Sequence, residues 1–581
     1  MFAARSVGGP AHPERIEEMD GELTTVIEDF NAAVDLEALR LAKKSGKHTL
    51  LLLGDNLFST ARAEQEFLLT RLERVKTGYE LKFCCMEGTR GALLNQIIAW
   101  AANESDASNL YWIHGSPGIG KTSLAHSICE KLHTKQRLAG AFFCQRDDPN
   151  MSDLRNILPT LISKLAEIFP SFRSIVADRL RSDPNLTSRS MKDSVFLDLI
   201  CNLPRHPKHA LVFVIDALDE CGDNEDRPVL LKVLSDAAAR APWLKIIITS
   251  RPEDDIQDFF HGLPRSSYSP YDLATDDEAD ADLQTFARTQ FNSVAKTWCL
   301  PTPWPEQPLF DGVISRANGL FIYIKTLVLA LKKCEDPEET LEATLQYSAD
   351  TGLKPLYNLY SSILQARGLP NNAEFRQMIG VLLTAAPYRT LCDETIAELA
   401  GVKPNLVKKW VNDLSSLLYR DETANGGVRV RHLSISDFFV SDYCAYHVNL
   451  KDANVLLGIS CLKTMVEQLR FNICNLEDSR LANADIKDLP SRVKEHISDA
   501  LQYSSLYWSH HVCFIPDNGN LYVWGPLKEL FGGLHALFWI EVLSLMGMVP
   551  IGAPSLRRVI SWAKVSVQLR TSIFQNDAYM M

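Results

Sequence analysis

The chain has 581 residues, with 60 Lys and Arg against 72 Asp and Glu and a formal net charge of −12, a balance that argues against a general nucleic-acid or membrane-surface binder. Its length suits roughly three to five domains. Its 13 cysteines include no C-x-x-C pair, so neither a zinc site nor a disulfide framework is suggested and a reducing, cytoplasmic compartment is expected.

Residues 1–83 form a mixed N-terminal region. The opening "MFAARSVGGPAHPERIEEMDGE" has an arginine but no apolar stretch after it, so it does not read as a signal peptide. Helical patterning follows over 23–46, a short apolar run over 48–54, and more helical patterning over 56–75. None of these segments carries recognisable chemistry.

From 84 to 275 strand and helix alternate. "LYWIHGSPGIGKTSLAHSICE" (110–130) sets an apolar strand, a glycine-rich turn and an amphipathic helix in succession. Gly115, four residues, then Gly120, Lys121 and Thr122 form the G-x-x-x-x-G-K-[ST] phosphate-binding pattern. Gly115, Gly118 and Gly120, with Ser116, Pro117 and Ile119 between them, let successive backbone N–H groups face one concavity. The helix starting near Gly120, with Ser123 in its first turn, adds its own open N–H groups and the positive end of its dipole. Lys121 is expected to reach the outer phosphates and the Thr122 hydroxyl to ligate Mg²⁺.

Further strands are expected in "AGAFFC" (139–144), "ALVFVIDALDE" (210–220) and "LKIIITSRPE" (244–253), with a helix over 154–169. Strands apolar on both faces and separated by helices indicate a parallel sheet covered on both sides. Asp216 would then lie at the carboxyl edge of the sheet, where such folds bind ligands, and hold Mg²⁺ through water. Ala217 is small enough to admit a phosphate, and Asp219 and Glu220 offer carboxylates to orient an attacking water. Arg251, at the tip of the neighbouring strand, is a candidate to neutralise charge at the terminal phosphate, with a purely structural role as the alternative.

After about 280 helical periods dominate: a helical domain over 276–370, a winged-helix domain over 371–445 and a helical region over 446–581. The winged helix is read from "DETIAELAG" and "LVKKWVNDLSSLLY" as two helices, followed by the strand-like "VRVRHLSI" after a Gly-Gly turn. Spacing alone gives His432 no role. The apolar segment over 534–553 contains His535, Glu541 and Pro550, which suits a buried helix better than a membrane span. The fold class expected is thus an α/β P-loop domain followed by helical and winged-helix domains, mostly α overall.

Taken together, "GSPGIGKT", "LVFVIDALDE", "IIITSRPE", "NGLFIYIKT" and "RHLSISDFF" resemble, in order and spacing, the NACHT class of STAND NTPases, including the nephrocystin-like P-loop proteins of mushroom-forming fungi. "CCMEGTRGALLNQIIAW", "LRFNICNLEDS" and "ISDALQYSSLYWSHH" extend the similarity over about 84–570. The resemblance implies that Gly88, Thr89 and Arg90 contact the base or ribose. It also implies that His432 reaches the β-phosphate of bound ADP and locks a closed state. Leu433 stands where lysine or serine is more usual. Many relatives continue into a WD-repeat propeller or another sensing array, and this chain stops about where such an array would begin.

The function implied is a slow, nucleotide-driven signalling switch, related to innate-immunity receptors. ADP holds the closed state; exchange for ATP leads to homo-oligomerisation and recruitment of a protein partner, with no nucleic acid or membrane involved. GTP is the alternative nucleotide. The alternative functions are a steady-turnover P-loop ATPase or kinase and a non-hydrolysing scaffold. The roughly 300 residues of helical and winged-helix material after the sheet favour the switch over a kinase, and Asp216, Asp219 and Glu220 favour it over the scaffold.

Overall fold

The computed structural model describes residues 65–564 apart from 73–74, 76–78, 104–107, 184–185, 187–192, 202–206, 208, 277, 347–352, 422–425, 479–480, 487 and 516–520. The helical patterning over 23–46, the apolar run over 48–54 and the beginning of the stretch over 56–75 therefore lie outside the described residues.

The first half alternates helix and strand: α1 (Gly91–Ala102), β1 (Leu110–His114), α2 (Lys121–Thr134), β2 (Leu138–Phe143), α3 (Ile157–Ile168), α4 (Pro170–Ser182), α5 (Asp193–Cys201), β3 (Leu211–Asp216), α6 (Asp226–Arg240), β4 (Leu244–Ser250), α7 (Asp254–Gly262) and β5 (Tyr268–Asp272). The five strands form one parallel sheet in the order β2-β3-β4-β1-β5. Alternate residues serve two cores. Leu110, Trp112, Phe213, Ile215, Ile246 and Ile248 pack with the α3–α7 side, whereas Tyr111, Ile113, Val212, Val214 and Ile247 join a core that continues into the C-terminal helices. That two-sided burial explains the unbroken apolar runs.

β5 departs from the sequence reading, which contained four strands. "YSPYD" holds Pro270 and alternates polar residues, and it forms an edge strand paired only to β1. Proline is tolerated at an edge, where one side of the ladder is unpaired.

The second half comprises α8 (Ala279–Trp298), α9 (Gln307–Ala317), α10 (Phe321–Leu331), α11 (Pro337–Leu345), α12 (Lys354–Ala366), α13 (Ala373–Ala385), α14 (Asp393–Ala400), α15 (Pro404–Asp413), β6 (Leu418–Asp421), β7 (Gly427–Val430), α16 (Leu433–Val440), α17 (Leu450–Gln468), α18 (Leu489–His496), α19 (Asp499–Val512), α20 (Leu521–Phe531) and α21 (His535–Leu545). A further helix covers 552–564. Two expectations are corrected here. The helix expected over 406–419 ends at Asp413, and Leu418–Asp421 instead pairs antiparallel with β7. The strand expected over 428–435 stops at Val430, because the His432 ring accepts the Ser434 N–H and caps α16, whose Ile435, Phe438 and Phe439 face the core at helical spacing.

The apolar segment near 540 is helix α21, with Trp539, Val542 and Leu543 buried. Among the described residues no helix is long and apolar enough to cross a membrane. α17 packs along α19, where a Cβ on Gly458 would lie 3.1 Å from the His511 carbonyl carbon, so a side chain there would force the helices apart.

Candidate phosphate-binding site

The sheet register sets the site. Ile113 pairs with Thr249 and Phe143 with Asp216, so the carboxyl ends of β1, β3 and β4 converge where the 115–120 loop leaves β1. Gly118 and Gly120 have φ of +82° and +102°, left-handed values that favour glycine. Helix α2 starts at Lys121, and no side chain caps it, which leaves its first-turn N–H groups for an anion.

Lys121 is buried, and its Nζ donates to the carbonyls of Gly115 at 2.6 Å and Ser116 at 3.0 Å. Burial pushes it down to about 8, with the positive charge of Arg251 adding to the effect. A buried ammonium whose hydrogen bonds go only to neutral carbonyls suits a phosphate.

Asp216 is buried and is hydrogen-bonded by the hydroxyls of Thr249 and Thr122. Burial raises it to about 6. The Thr122 hydroxyl and the Asp216 carboxylate thus stand together, an oxygen pair that could hold Mg²⁺ alongside phosphate and water. Ala217, next in the chain, has φ +54° and donates its N–H to Thr249 Oγ1 at 3.0 Å. That left-handed turn separates Asp216 from the acids after it.

Asp219 accepts the Arg251 N–H at 2.9 Å, and its carboxylate lies 3.3 Å from Arg251 Nε. Glu220 accepts only a 3.3 Å hydrogen bond from the Arg146 N–H. Burial, then the Asp219 charge, push Glu220 up to about 8. Of the two acids Asp219 is fastened and Glu220 is the freer.

Thr89 and Arg90 line the same cleft and are already engaged. The Thr89 hydroxyl donates to Met86 O, while Arg90 gives its backbone N–H to Asp282 and its guanidinium to Asp276 and Ile119 O. Gly88, with φ +86°, forms the turn before them. This stretch clamps the phosphate loop against α8.

The opposite wall comes from the second half of the chain and encloses a cleft of about 1030 Å³. The Ile322 N–H donates to Gly118 O at 3.2 Å, and a Cβ on Gly118 would fall 2.1 Å from Ile322 Cγ2; glycine is required there to seat α10 on the loop. The same Cβ would lie 3.7 Å from His432 Cε1. Burial, then the nearby cations Arg251, Lys121 and Lys325, hold His432 down at about 3, so its ring is neutral. Two ion pairs cross the cleft: Arg251 to Asp437 of α16 at 2.8 Å, and Arg429 of β7 to Asp147 at 3.1 Å. The sequence reading contained Asp437 within "RHLSISDFF" but gave it no role. Arg429 within "VRVRHLSI" and Ile322 within "NGLFIYIKT" likewise carry no role there, and Asp147 lies outside every quoted stretch; their partners lie far away in the chain.

Residues 88–251 match the family model described as Nephrocystin 3, N-terminal. No curated protein sequence matches the chain. Similar solved structures include the Walker-type ATPase of Pyrococcus abyssi, at 13% identity over 63% of this chain and 97% of that chain with a TM-score of 0.30. Another is Cdc6p from Pyrobaculum aerophilum, at 13% identity over 62% and 94% with a TM-score of 0.29. The phosphate loop and four of the five strands, β1 to β4, lie within the matched segment, and together with that match they support a P-loop NTPase domain.

Proposed function

We propose that the protein is a nucleotide-operated switch of the NACHT/STAND type, in which a nucleoside diphosphate, ADP in the first place, holds two halves of the chain closed and its exchange for the triphosphate lets them part and self-associate. The observation that carries this reading is the position of His432 and α10 against Gly118. The loop that would hold the phosphates is covered by residues from beyond the sheet. Helices α13–α15 with the β6–β7 hairpin have the order of a winged helix, and His432 follows that hairpin directly.

The residues divide the work. Lys121 and the open N–H groups of α2 bind phosphate oxygens, and Thr122 with Asp216 would hold Mg²⁺, which supplies charge neutralisation on the phosphates. Glu220, the freer acid, takes a proton from water once it is ionised, a step its raised value of about 8 delays, while Asp219 fixes Arg251. Arg251 is pinned between Asp219 and Asp437 in this closed arrangement and reaches a terminal phosphate only once Asp437 lets go. A switch with that restraint hydrolyses slowly, well under the ~10 s⁻¹ of a typical enzyme. Thr89 and Arg90 hold the loop edge next to the base, and opening frees surfaces for a second copy and a partner protein.

The test is His432→Leu. A hydrogen bond to a charged phosphate contributes about 1.5–3 kcal/mol, so ADP release should accelerate roughly ten- to a hundredfold, with more open or self-associated protein in small-angle scattering. A folded variant with unchanged release would defeat the reading.

A further inference from the structure

A line of hydroxyls runs behind His432. The buried Tyr360 on α12 has its OH 2.8 Å from Ser434 Oγ, and Ser434 Oγ lies 2.7 Å from His432 Nδ1. Thr326 of α10 hydrogen-bonds Tyr360 as well. The Ser434 backbone N–H is also directed at Nδ1, at 3.2 Å. A backbone N–H can only donate, so Nδ1 carries a lone pair and the proton of the neutral ring is on Nε2. The remaining directions follow one from another: Ser434 O–H donates to Nδ1, the Ser434 oxygen accepts from Tyr360 O–H, and the Tyr360 oxygen accepts from Thr326. Among the described residues no protein group is bonded to Nε2, and the adjoining Cε1 faces Gly118.

We propose that Tyr360 and Ser434 are positioning residues that fix His432 as its Nε2–H tautomer, so that the ring offers a hydrogen-bond donor to the phosphate oxygens of a nucleoside diphosphate on the loop. The inference rests on the nucleotide-switch reading above. A ring kept neutral by its surroundings attracts phosphate through one N–H, and the aim and tautomer of that N–H decide whether the contact exists. Three helices, α10, α12 and α16, supply the line of hydroxyls, so their packing sets the donor.

The experiment uses the full chain, Mg²⁺ and a fluorescent ADP analogue whose release is followed by stopped flow, with ¹⁵N-histidine NMR as a second readout. Tyr360→Phe deletes one hydroxyl while keeping the ring, and Ser434→Ala deletes the next. Each should speed release about three- to tenfold, the value of one neutral hydrogen bond. In a His432→Leu background Tyr360→Phe should add nothing, because the two act through one contact. NMR should show His432 as the Nε2–H tautomer in the wild type and a smaller Nε2–H fraction in Ser434→Ala, where only the 3.2 Å backbone N–H remains to hold it. An equal acceleration by Tyr360→Phe with and without His432, or an Nδ1–H ring in the wild type, would overturn the positioning role. If His432→Leu itself leaves release unchanged, the nucleotide-contact reading fails separately, and the tautomer measurement still decides whether Tyr360 and Ser434 set the ring.

Discussion

Lys121, Asp216 and Asp219 find partners inside the α/β domain, whereas Ile322, Arg429 and Asp437, on the facing wall of the cleft, find theirs across it. The floor of the cleft is therefore shaped whether or not the wall above it is in place. The wall meets the floor through the Ile322 hydrogen bond, the two ion pairs, a hydrogen bond from Arg429 to the Asp147 carbonyl and the approach of His432, beside the apolar packing of α10. Changes in the floor should abolish binding or chemistry, and changes in the wall should move a balance between closed and open forms.

The largest effect is expected in the floor. Lys121→Ala removes the buried ammonium from the phosphate loop, at a cost of several kcal/mol to any bound phosphate cluster. Nucleotide affinity should fall by at least about a hundredfold in calorimetry. The fold should persist, because Lys121 bonds only to carbonyls of its own loop. Unchanged affinity would remove the phosphate-loop assignment.

The acids come next and sharpen the contrast. Glu220→Gln should slow single-turnover hydrolysis by about a hundredfold or more while leaving binding intact, as expected for loss of a general base. Asp219→Asn should do two things, since Asp219 also anchors Arg251, which in turn reaches Asp437. Slower hydrolysis with faster ADP release in this variant, against slower hydrolysis alone in Glu220→Gln, would separate a fastening acid from a water-directed one. Normal turnover in both would place the water-orienting group elsewhere.

Smaller shifts belong to the wall. Asp437→Asn breaks one partly buried ion pair across the cleft, and Arg429→Ala breaks another, to Asp147, together with the pair to Asp421 in its own hairpin; such pairs lie between exposed ones at about 0.2–1 kcal/mol and buried ones at several. Each should raise the open fraction about three- to tenfold in small-angle scattering, with phosphate affinity in the open form unchanged. If the double variant opens no further than either single one, the two pairs act as a unit.

The same division decides what could be read from the sequence. Floor residues sit in short motifs at strand ends, where a loop and a helix start follow a strand directly, so the convergence of Gly115 to Thr122 with Asp216 at one sheet edge is legible in the sequence. Wall contacts join residues far apart in the chain, as Arg429 and Asp147 are, and no local pattern marks them. His432 was reached only through a resemblance, and its capping of α16 was masked by the β-branched run before it. The resemblance sets Arg90 at the base or ribose, and no sequence pattern announces its bonds to Asp276, Asp282 and Ile119, which hold the loop edge. β5 escaped because Pro270 and its polar neighbours break the apolar pattern of the inner strands.

The last expected effect is a pH dependence in the nucleotide-free protein, and it tests whether Glu220 keeps its proton there. Glu220 is raised to about 8 by burial and by Asp219, so the native chain keeps a proton that the unfolded chain releases near 4.5. Stability from this group is fully present below about 4.5 and is lost as pH rises toward 8. Asp216, raised to about 6, acts in the same direction but is spent by about that pH. His114, His126, His432, His510 and His511 are lowered and act in the opposite direction, below about 6.5. Lys121, lowered to about 8, opposes Glu220 only above that pH. The interval from 6.5 to 8 therefore isolates Glu220. Across it the melting temperature of the wild type should fall, and that of Glu220→Gln should stay nearly level. Parallel curves would mean that Glu220 is already ionised in the empty site, and the contrast between a fastened Asp219 and a protonated Glu220 would then fail.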